Sequence, residues 1–412
     1  MPRRWKIFAA LAGMLVLSMF FRVSMAVVSS ELTSDLGLGA AELGVVSGVF
    51  FYIFACSQIP LGPLIDRFGG RLIVSILGAV TTGGALFFAV SASYHNLIAA
   101  RILLGVGTAA VLMGSLKIFS NWFSREEFAK ISGYMIAVGN LGSVVATLPL
   151  AYAISNFGLR ATFIAASLAQ LANTAAVFLI ARDAPAADET NAGPSPAIAG
   201  EHRADMLKTW RLLLVSPAFW LVSLMAFFWY ANYMVLLGMW GGPYLREVIG
   251  LDKSASSMTL LFISFGYICG SLLLGKMIDI LKGSLIRTIV LGQSLLLLLM
   301  SAMLGPAEAV PRTLLVLIFF MIGLASSSGI IIYPLARNLV PHEFAATAMT
   351  CVNFFLLIGA ASVQHIIGLS IHTFTRLPSG YPATAYHTAF MIPICGLAGT
   401  LVLFVCGRRF FK

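Results

Sequence analysis

Charged residues are scarce in this sequence. Asp, Glu, Lys and Arg make up 10% of the 412 residues, whereas about 25% is usual for a soluble protein. Hydrophobic residues make up 59% of the chain, and the mean hydropathy is +0.94. A soluble domain of this size could not bury so much apolar surface, so lipid must cover much of it. The composition therefore excludes a cytosolic enzyme, a secreted disulfide scaffold and a disordered chain.

Motifs for metal binding, nucleotide binding and covalent catalysis are also absent. Cysteine is rare, and all five cysteines sit inside apolar runs without metal-ligand spacing, at Cys56, Cys269, Cys351, Cys395 and Cys406. No GxxxxGK[ST] loop occurs, so ATP is not the expected energy source. We therefore expect a protein that is not an enzyme and that needs no cofactor and no metal.

Long apolar runs dominate what remains, and they predict membrane-spanning helices. A span needs about 20 mostly apolar residues, whereas the strands of a membrane β-barrel give a weaker alternating signal. Twelve such runs are found, at about 6–30, 43–64, 71–91, 96–121, 128–152, 158–181, 214–240, 255–278, 285–304, 312–335, 343–370 and 385–407. The prediction is an all-α membrane protein with twelve transmembrane helices.

The basic residues orient these helices. With a cytoplasmic N-terminus, 18 Lys and Arg fall in the inner segments, five in the outer segments and three within spans. Such a bias favours two cytoplasmic termini. It also accounts for the net charge of +10 without a nucleic-acid partner. The alternative, a signal peptide cleaved near Ala26, would leave eleven spans and weaken the bias.

One long polar interruption divides the chain into two halves. Residues 182–211 are rich in Pro, Gly and Ala and poor in large hydrophobic residues, which is typical of a flexible linker. We predict an N-terminal six-helix bundle over 1–181 and a C-terminal six-helix bundle over 212–412. The linker between them should be cytoplasmic.

A short motif repeats once in each half. A shift of 213 residues superposes Gly62 on Gly275, Asp66 on Asp279 and Gly70 on Gly283. Each copy follows the second span of its half. Two halves with matching elements are typical of transporters built from repeats.

The first copy of the motif resembles the GxLxDRxGxR signature of the major facilitator superfamily. The stretch Arg101-Ile-Leu-Leu-Gly105-Val-Gly107 resembles that family's fourth-helix motif. The resemblance implies two pseudo-symmetric six-helix bundles and transport by alternating access. It also implies that the repeated motif controls conformation rather than binding, through Gly62, Asp66, Arg67, Gly69, Arg71 and Asp279.

Within that superfamily, Phe20-Phe21-Arg22 followed by Ser29-Ser30-Glu31 resembles the organic anion and sugar-acid branch. In that branch an arginine on the first helix meets an anionic group of the substrate, and a fourth-helix arginine assists. The resemblance therefore places Arg22 and Arg101 at a substrate site. This chain lacks the acidic residues that sugar-acid transporters carry beside these arginines, because Phe21 and Thr108 occupy those positions.

The charge pattern within the spans agrees with an anionic cargo. All sixteen Asp and Glu fall in loops or at predicted helix ends, whereas Arg22, Arg101 and Lys117 fall inside spans. A buried charge is costly in a membrane and is therefore a candidate for function. Arg22 could instead snorkel to the outer headgroups, and Arg101 could be structural, bonding backbone carbonyls of a neighbouring helix.

Other polar residues are candidate substrate contacts. Each lies in a span or on a predicted polar stripe, although packing is the alternative interpretation for the aromatic ones. The set is Ser18, Ser29, Thr108, Asn140, Trp229, Tyr233, Asn353 and Gln364.

Several points about function stay open at this stage. Proton coupling would need a titratable group, and Glu31 and His365 are the candidates; the substrate could also carry the proton, or transport could be exchange with a counter-anion or uniport. A ligand sensor without net flux and an exporter of drugs or lipids are the competing functions. We expect a monomer in a bacterial inner membrane, with the lipid bilayer and a small anion as its partners.

Overall fold

The computed structural model describes residues 3–185, 213–340, 345–378 and 380–411. These residues are almost entirely helical, apart from turns and one isolated bridge between Leu377 and Gly380. Most of the predicted linker, from residue 186 to 211, lies outside the described residues.

Eight α-helices form the part of the chain that precedes the linker. They are α1 Arg3–Val23, α2 Met25–Leu36, α3 Ala40–Phe68, α4 Gly70–Val90, α5 Tyr94–Thr108, α6 Val111–Trp122, α7 Arg125–Val145 and α8 Leu148–Ile180. Helix α7 begins with a capping box, in which Ser124 accepts from the Glu127 amide and Glu127 accepts from the Ser124 amide. Such a box satisfies two backbone donors that the helix cannot satisfy itself.

The second part begins at Pro217. Its longer helices are α9 Pro217–Met234, α10 Gly241–Glu247, α11 Lys253–Ile280, α12 Leu285–Ser301, α13 Arg312–Ser327, α14 Ile332–Arg337, α15 Ala345–His372 and α16 Ala383–Cys406. A π-helical segment, Val235–Trp240, joins α9 to α10. Short 3₁₀ turns follow α12, α13 and α16, the last of them Gly407–Phe411.

The predicted fold class is confirmed. Eleven helices in the described part of the chain are long and apolar enough to cross a membrane. A shorter apolar helix, Ile131–Val145, occupies the place of the fifth predicted span. Twelve apolar helical regions therefore stand where the hydropathy pattern places them.

The first predicted span is interrupted at Ser24, in its second half. Helix α1 ends at Val23 and α2 begins at Met25. The Phe21 carbonyl at this point accepts hydrogen bonds from the Ser24 hydroxyl at 3.3 Å and from Arg101 Nη1 at 2.9 Å. A side chain that inserts into the backbone ladder is a known cause of a helix break.

Two further breaks divide predicted helices. The fourth span separates into α5 and α6 after Thr108, whose hydroxyl donates to the Leu104 carbonyl at 2.7 Å. Such a bond to the preceding turn bends helices. In the long helix α8, Gly158 takes a positive φ of 78°, which glycine adopts without a steric cost. This glycine separates the end of the fifth predicted span from the sixth.

The chain divides into two compact units. The first unit is Met1–Ser24 with Tyr52–Gly200, and the second is Met25–Phe51 with Glu201–Lys412. Residues 25–51 thus pack with the C-terminal helices, although they precede the linker. The division into bundles over 1–181 and 212–412 stays a prediction. It concerns which helices move together.

Glycines allow helices within each unit to pack closely. In the first unit, a Cβ at Gly142 would lie 1.9 Å from the Val16 carbonyl oxygen. In the second unit, a Cβ at Gly266 would lie 1.9 Å from the Phe320 carbonyl oxygen, and one at Gly323 equally close to that of Ile263. Only residues without a side chain fit such crossings, as is common between transmembrane helices.

Candidate functional site

Arg22 lies in the last turn of α1 and is 8% exposed. Its guanidinium carbon lies 4.7 Å from the centroid of the Phe54 ring. Stacking on an aromatic face is a favourable environment for a guanidinium, which is more weakly hydrated than an ammonium. Arg22 is therefore buried within the first unit. Its side chain does not extend to the surface, as snorkelling to the outer headgroups would require.

Arg101 lies beside the same turn and is 1% exposed. Its Nη1 donates to the carbonyl of Phe21, the residue that precedes Arg22. Arg101 thus makes the bond to the backbone of a neighbouring helix that its structural interpretation predicts. The same bond brings the two predicted arginines to one place in the first unit, and a contact between Arg101 and substrate stays a prediction.

Ser18 lies one helical turn before Arg22 on α1 and is 2% exposed. Its hydroxyl has no hydrogen-bond partner among the described residues. Buried polar groups are nearly always paired, so an unpaired one calls for an explanation. The other first-unit candidates bond within their own helices, Thr108 to Leu104 and Asn140 to Ile136.

Ser29 belongs to the second unit. It is 1% exposed, and its hydroxyl accepts from Arg246 Nη2 at 3.3 Å. Nearby, the Glu31 carboxylate forms an ion pair with the Lys253 ammonium, and both side chains are partly buried. The sequence had placed Arg246 and Lys253 only in outer segments, because spacing along one chain does not reveal which helix ends meet.

A pocket of about 270 Å³ opens beside these residues. Hydroxyl groups, two arginines and two tyrosines dominate its wall, among them Ser30, Thr33, Arg246, Arg376, Tyr381 and Tyr386. Glu247 accepts from the Tyr386 hydroxyl at 2.8 Å and from the Tyr381 amide at 2.9 Å. The pocket therefore combines apolar and polar groups in its wall, and Glu247 hydrogen-bonds both tyrosines on one side.

Gln364 is fully buried where α3 and α15 meet. It bonds the Ser47 hydroxyl, and its amide nitrogen donates to the Met234 carbonyl at 3.3 Å. The helices approach closely here, since a Cβ at Gly48 would lie 2.9 Å from the Ala361 carbonyl oxygen. His365, half-buried, follows Gln364 along the same contact. Both predicted residues thus lie at a tight helix crossing.

Aromatic residues from three helices gather in the second unit. The Tyr233 ring stacks on that of Tyr267 at 5.0 Å, and the Tyr333 hydroxyl donates to Asn353 Oδ1 at 2.8 Å. The Trp229 indole N–H donates to the Ser326 carbonyl at 2.7 Å. Tyr233 and Asn353 thus have partners, Tyr267 and Tyr333, that the sequence did not single out.

The repeated motif ties α4 to the end of α8 in the first unit. The Arg71 amide donates to Asp183 Oδ1 at 2.9 Å, and its guanidinium donates twice to the Phe178 carbonyl. A Cβ at Gly69 would lie 2.5 Å from an Asp183 carboxylate oxygen. Asp183 therefore completes this motif, which the sequence did not reveal.

The other members of the motif make fewer contacts. Arg67 lies over the Phe68 ring at 5.1 Å, and a Cβ at Gly62 would meet nothing within 4 Å. Asp279 is exposed. The side chain of Asp66 lies outside what the structure describes, so its predicted gating role stays untested.

The backbone supports the internal repeat. Gly69 has a positive φ of 83°, and Lys282, 213 residues later, has one of 58°. Lysine rarely adopts this conformation, and glycine does so easily. Both halves thus have a positive φ at the same position of the motif, although the turns differ in length: Gly69 alone separates α3 from α4, whereas residues 281–284 separate α11 from α12.

The arrangement defines a class of protein: a polytopic helical membrane protein with an internal repeat and buried arginines. The sequence profile of the Major Facilitator Superfamily matches residues 10–363. The chain belongs to this family, as the motifs predicted. It is an integral membrane transporter and not an enzyme.

Relatives with known names refine the comparison. The chain is 26% identical to the probable L-galactonate transporter of Escherichia coli K12, over 87% of this chain and 81% of the relative. It is 25% identical to the probable sulfoacetate transporter of Cupriavidus necator, over 65% of this chain and 64% of that one. The predicted resemblance to the organic anion and sugar-acid branch is confirmed.

Solved structures agree on the fold. A bacterial homologue of the human lysosomal transporter Spinster, crystallised in an inward-facing state, aligns with a TM-score of 0.75. The alignment covers all of this chain and 96% of that one, at 18% identity. The likeness shows a shared architecture, and it carries no information about the substrate.

Proposed function

We propose that this transporter moves a small organic anion, such as a carboxylate, a sugar acid or a phosphorylated metabolite, by alternating access. The observation that carries the proposal is the pair of buried arginines joined through the Phe21 backbone. Arg22 and Arg101 are 8% and 1% exposed, and no Asp or Glu lies within the interior of a predicted span. Cations in span interiors that contain no Asp or Glu favour an anion as cargo.

The substrate site is proposed to centre on Arg22. A guanidinium offers a planar pair of donors that fits a carboxylate or phosphate, and such charge-assisted bonds are among the strongest in proteins. The unpaired Ser18 hydroxyl one turn away adds a donor for a second oxygen of the anion. Tyr233 and Asn353, which belong to the second unit, stay predicted contacts of the substrate.

The named relatives support an acidic cargo. One is a probable transporter of L-galactonate, a sugar acid, and another of sulfoacetate. These two substrates share a carboxylate and differ in size and in their second polar group. The common feature is therefore the negative charge, which is the feature that Arg22 and Arg101 would recognise.

Coupling is proposed to be exchange with a counter-anion, or uniport, rather than proton symport. The Glu31 carboxylate already forms an ion pair with Lys253, and His365 lies at a helix crossing. Uptake into liposomes with an imposed pH gradient and a clamped membrane potential tests this. Strong accumulation driven by the gradient would contradict exchange and uniport, and its loss in Glu31→Gln or His365→Gln would identify the proton site.

The orientation and setting are also proposed. The bias of basic residues supports cytoplasmic termini and a cytoplasmic linker. We further propose a monomer in a bacterial inner membrane. A protease-cleavable tag inserted within 186–200 should be cut only from the cytoplasmic side. Cutting from the outer side in intact cells would reverse the assignment.

A binding measurement tests the proposed cargo. L-galactonate and sulfoacetate should raise the melting temperature of the purified protein, because a ligand that binds only the folded state stabilises it. Galactose, which has no carboxylate, should have no effect. A shift with galactose and none with any anionic metabolite would overturn the proposal.

A further inference from the structure

A second cavity lies far along the chain from the arginines, at the start of α9 and the end of α16. It has a volume of about 410 Å³. Apolar side chains form its walls and an arginine stands at its margin, with Trp220, Leu221, Leu224, Leu403, Cys406 and Arg409 among its lining residues. Both helices belong to the second unit, and the groove lies where two apolar spans end.

The groove opens onto a surface that lipid covers. Trp220 is 46% exposed and Leu403 50% exposed, and both belong to spans. The Trp220 indole N–H donates to the Leu214 carbonyl at 2.8 Å, which fixes the ring as one wall. Tryptophan is enriched at the boundary between hydrocarbon and headgroups. The groove therefore lies at an edge of the membrane, open to the lipid phase.

Charge selects the kind of lipid. Arg409 lies over the Phe410 ring at 5.2 Å and is exposed. Neither of the sequence segments that build the groove, 213–246 and 383–412, contains Asp or Glu. A guanidinium on described segments that carry no carboxylate, beside an apolar channel, complements a phosphate attached to an acyl chain.

We propose that this groove binds an anionic phospholipid. One acyl chain lies along Leu221, Leu224 and Leu403, and the phosphate accepts hydrogen bonds from Arg409. A soluble anion would gain nothing from the apolar walls, and in a zwitterionic lipid the headgroup ammonium offsets the phosphate charge that Arg409 attracts. The proposal is independent of the cargo, because it uses none of the residues assigned to the substrate.

A thermal-shift titration of the full chain in neutral detergent tests the site. Phosphatidylglycerol should raise the melting temperature at lower concentration than phosphatidylcholine. Glycerol 3-phosphate, the headgroup phosphate without acyl chains, should have no effect at the same concentrations. Equal responses to the two lipids, or a response to glycerol 3-phosphate, would overturn the proposal.

Neighbouring arginines provide a matched control. Arg409→Gln should weaken phosphatidylglycerol binding about tenfold, since it removes the charge-assisted hydrogen bond to the phosphate. Arg408→Gln removes the same charge from the adjacent exposed residue, which is outside the groove, and should change binding less than twofold. Equal losses in both variants would mean general surface attraction and would overturn the site.

A second pair of variants tests the apolar walls. Cys406→Trp fills the groove and should abolish the preference for phosphatidylglycerol over phosphatidylcholine. Val402→Trp places the same side chain on the same helix, at a position that is 63% exposed and outside the groove, and should preserve the preference. Each variant is compared with its own lipid-free melting temperature, so a change in stability alone does not mimic the result. If Cys406→Trp preserved the preference for phosphatidylglycerol, the proposal would be contradicted. A dimer that covered the groove and did not respond to lipid would also contradict it.

Discussion

At the scale of single residues, one backbone carbonyl connects the two buried arginines. The Phe21 carbonyl accepts from Arg101 where α1 gives way to α2. Arg22, the next residue, is left beside Phe54. The arginine of the fourth span thus bonds the backbone beside the arginine of the first, and we propose that Arg101 supports Arg22 in binding the anion.

Replacing Arg22 should remove anion binding and leave the fold intact. Arg22→Ala should weaken the binding of L-galactonate at least tenfold, because a charge-assisted pair of hydrogen bonds is lost. Arg22→Lys should also fail, because an ammonium lacks the planar fork. The measurement is the ligand-induced thermal shift. Arg312→Ala, which removes an exposed arginine at the start of α13, is the control, and a normal shift in Arg22→Ala would exclude an anion site at Arg22.

Replacing Arg101 should affect stability more than replacing Arg22. Arg101→Met leaves the buried Phe21 carbonyl without its charged donor, which costs about 1.5–3 kcal/mol. We expect a lower melting temperature without ligand in Arg101→Met and little change in Arg22→Ala. Equal melting temperatures for Arg101→Met and the unmodified protein would show that the bond to Phe21 has no structural weight.

At the scale of helices, the sequence predicted where spans lie but not where they break. Span length and hydropathy are local properties, and all twelve apolar regions stand where they were predicted. The interruption at Ser24 depends on Arg101, 77 residues away, and so no local pattern shows it. The same limit applies to Asp183, which meets Gly69 and Arg71 only in the folded unit.

For the candidate site too, the sequence predicted local features but not contacts between distant residues. Arg22 and Arg101 were predictable because a charge within an apolar run is conspicuous. Tyr267 and Tyr333 were not, because tyrosine is common in spans and only the fold brings these rings to Tyr233 and Asn353. Ser29 was predicted on a stripe with Arg22, yet it belongs to the second unit and accepts there from Arg246.

A glycine substitution tests the packing of α11 against α13. Gly266→Ala would place a methyl group 1.9 Å from the Phe320 carbonyl oxygen, so the helices must separate. We expect a loss of about 1–3 kcal/mol of stability, the usual cost of overpacking, seen as a lower melting temperature. Gly275→Ala on the same helix meets nothing within 4 Å and should be neutral. Equal effects of the two variants would contradict this close crossing.

At the scale of the whole molecule, transport requires that contacts at one end of the helices open and close. In the second unit, Glu31 pairs with Lys253 and Ser29 with Arg246, around the pocket. Ser47 and Gln364 lock the helices further along. These bonds hold residues 25–51 against the C-terminal helices, so their release is expected to accompany opening at this end.

Lys253→Gln should therefore favour the open form. A partly exposed ion pair is worth up to about 1 kcal/mol, or about a fivefold change in population. The measurement is the labelling rate of Leu43→Cys, a buried position in the pocket wall, in a background without the five native cysteines. Lys253→Gln should raise the rate, and Lys276→Gln, at the other end of the same helix, should not. An unchanged rate in Lys253→Gln would mean that the ion pair does not restrain this end.

Counterflow in liposomes tests directly whether the protein carries an organic anion through a site at Arg22. Purified protein is reconstituted into liposomes preloaded with unlabelled L-galactonate or sulfoacetate, and the entry of the labelled anion is measured. We expect rapid accumulation of at least one of the two anions and no accumulation of galactose. Arg22→Ala should abolish the accumulation of the anion, and Arg312→Ala should not. Accumulation of the anion by Arg22→Ala at the unmodified rate would contradict this proposal, as would binding of the anion without any flux.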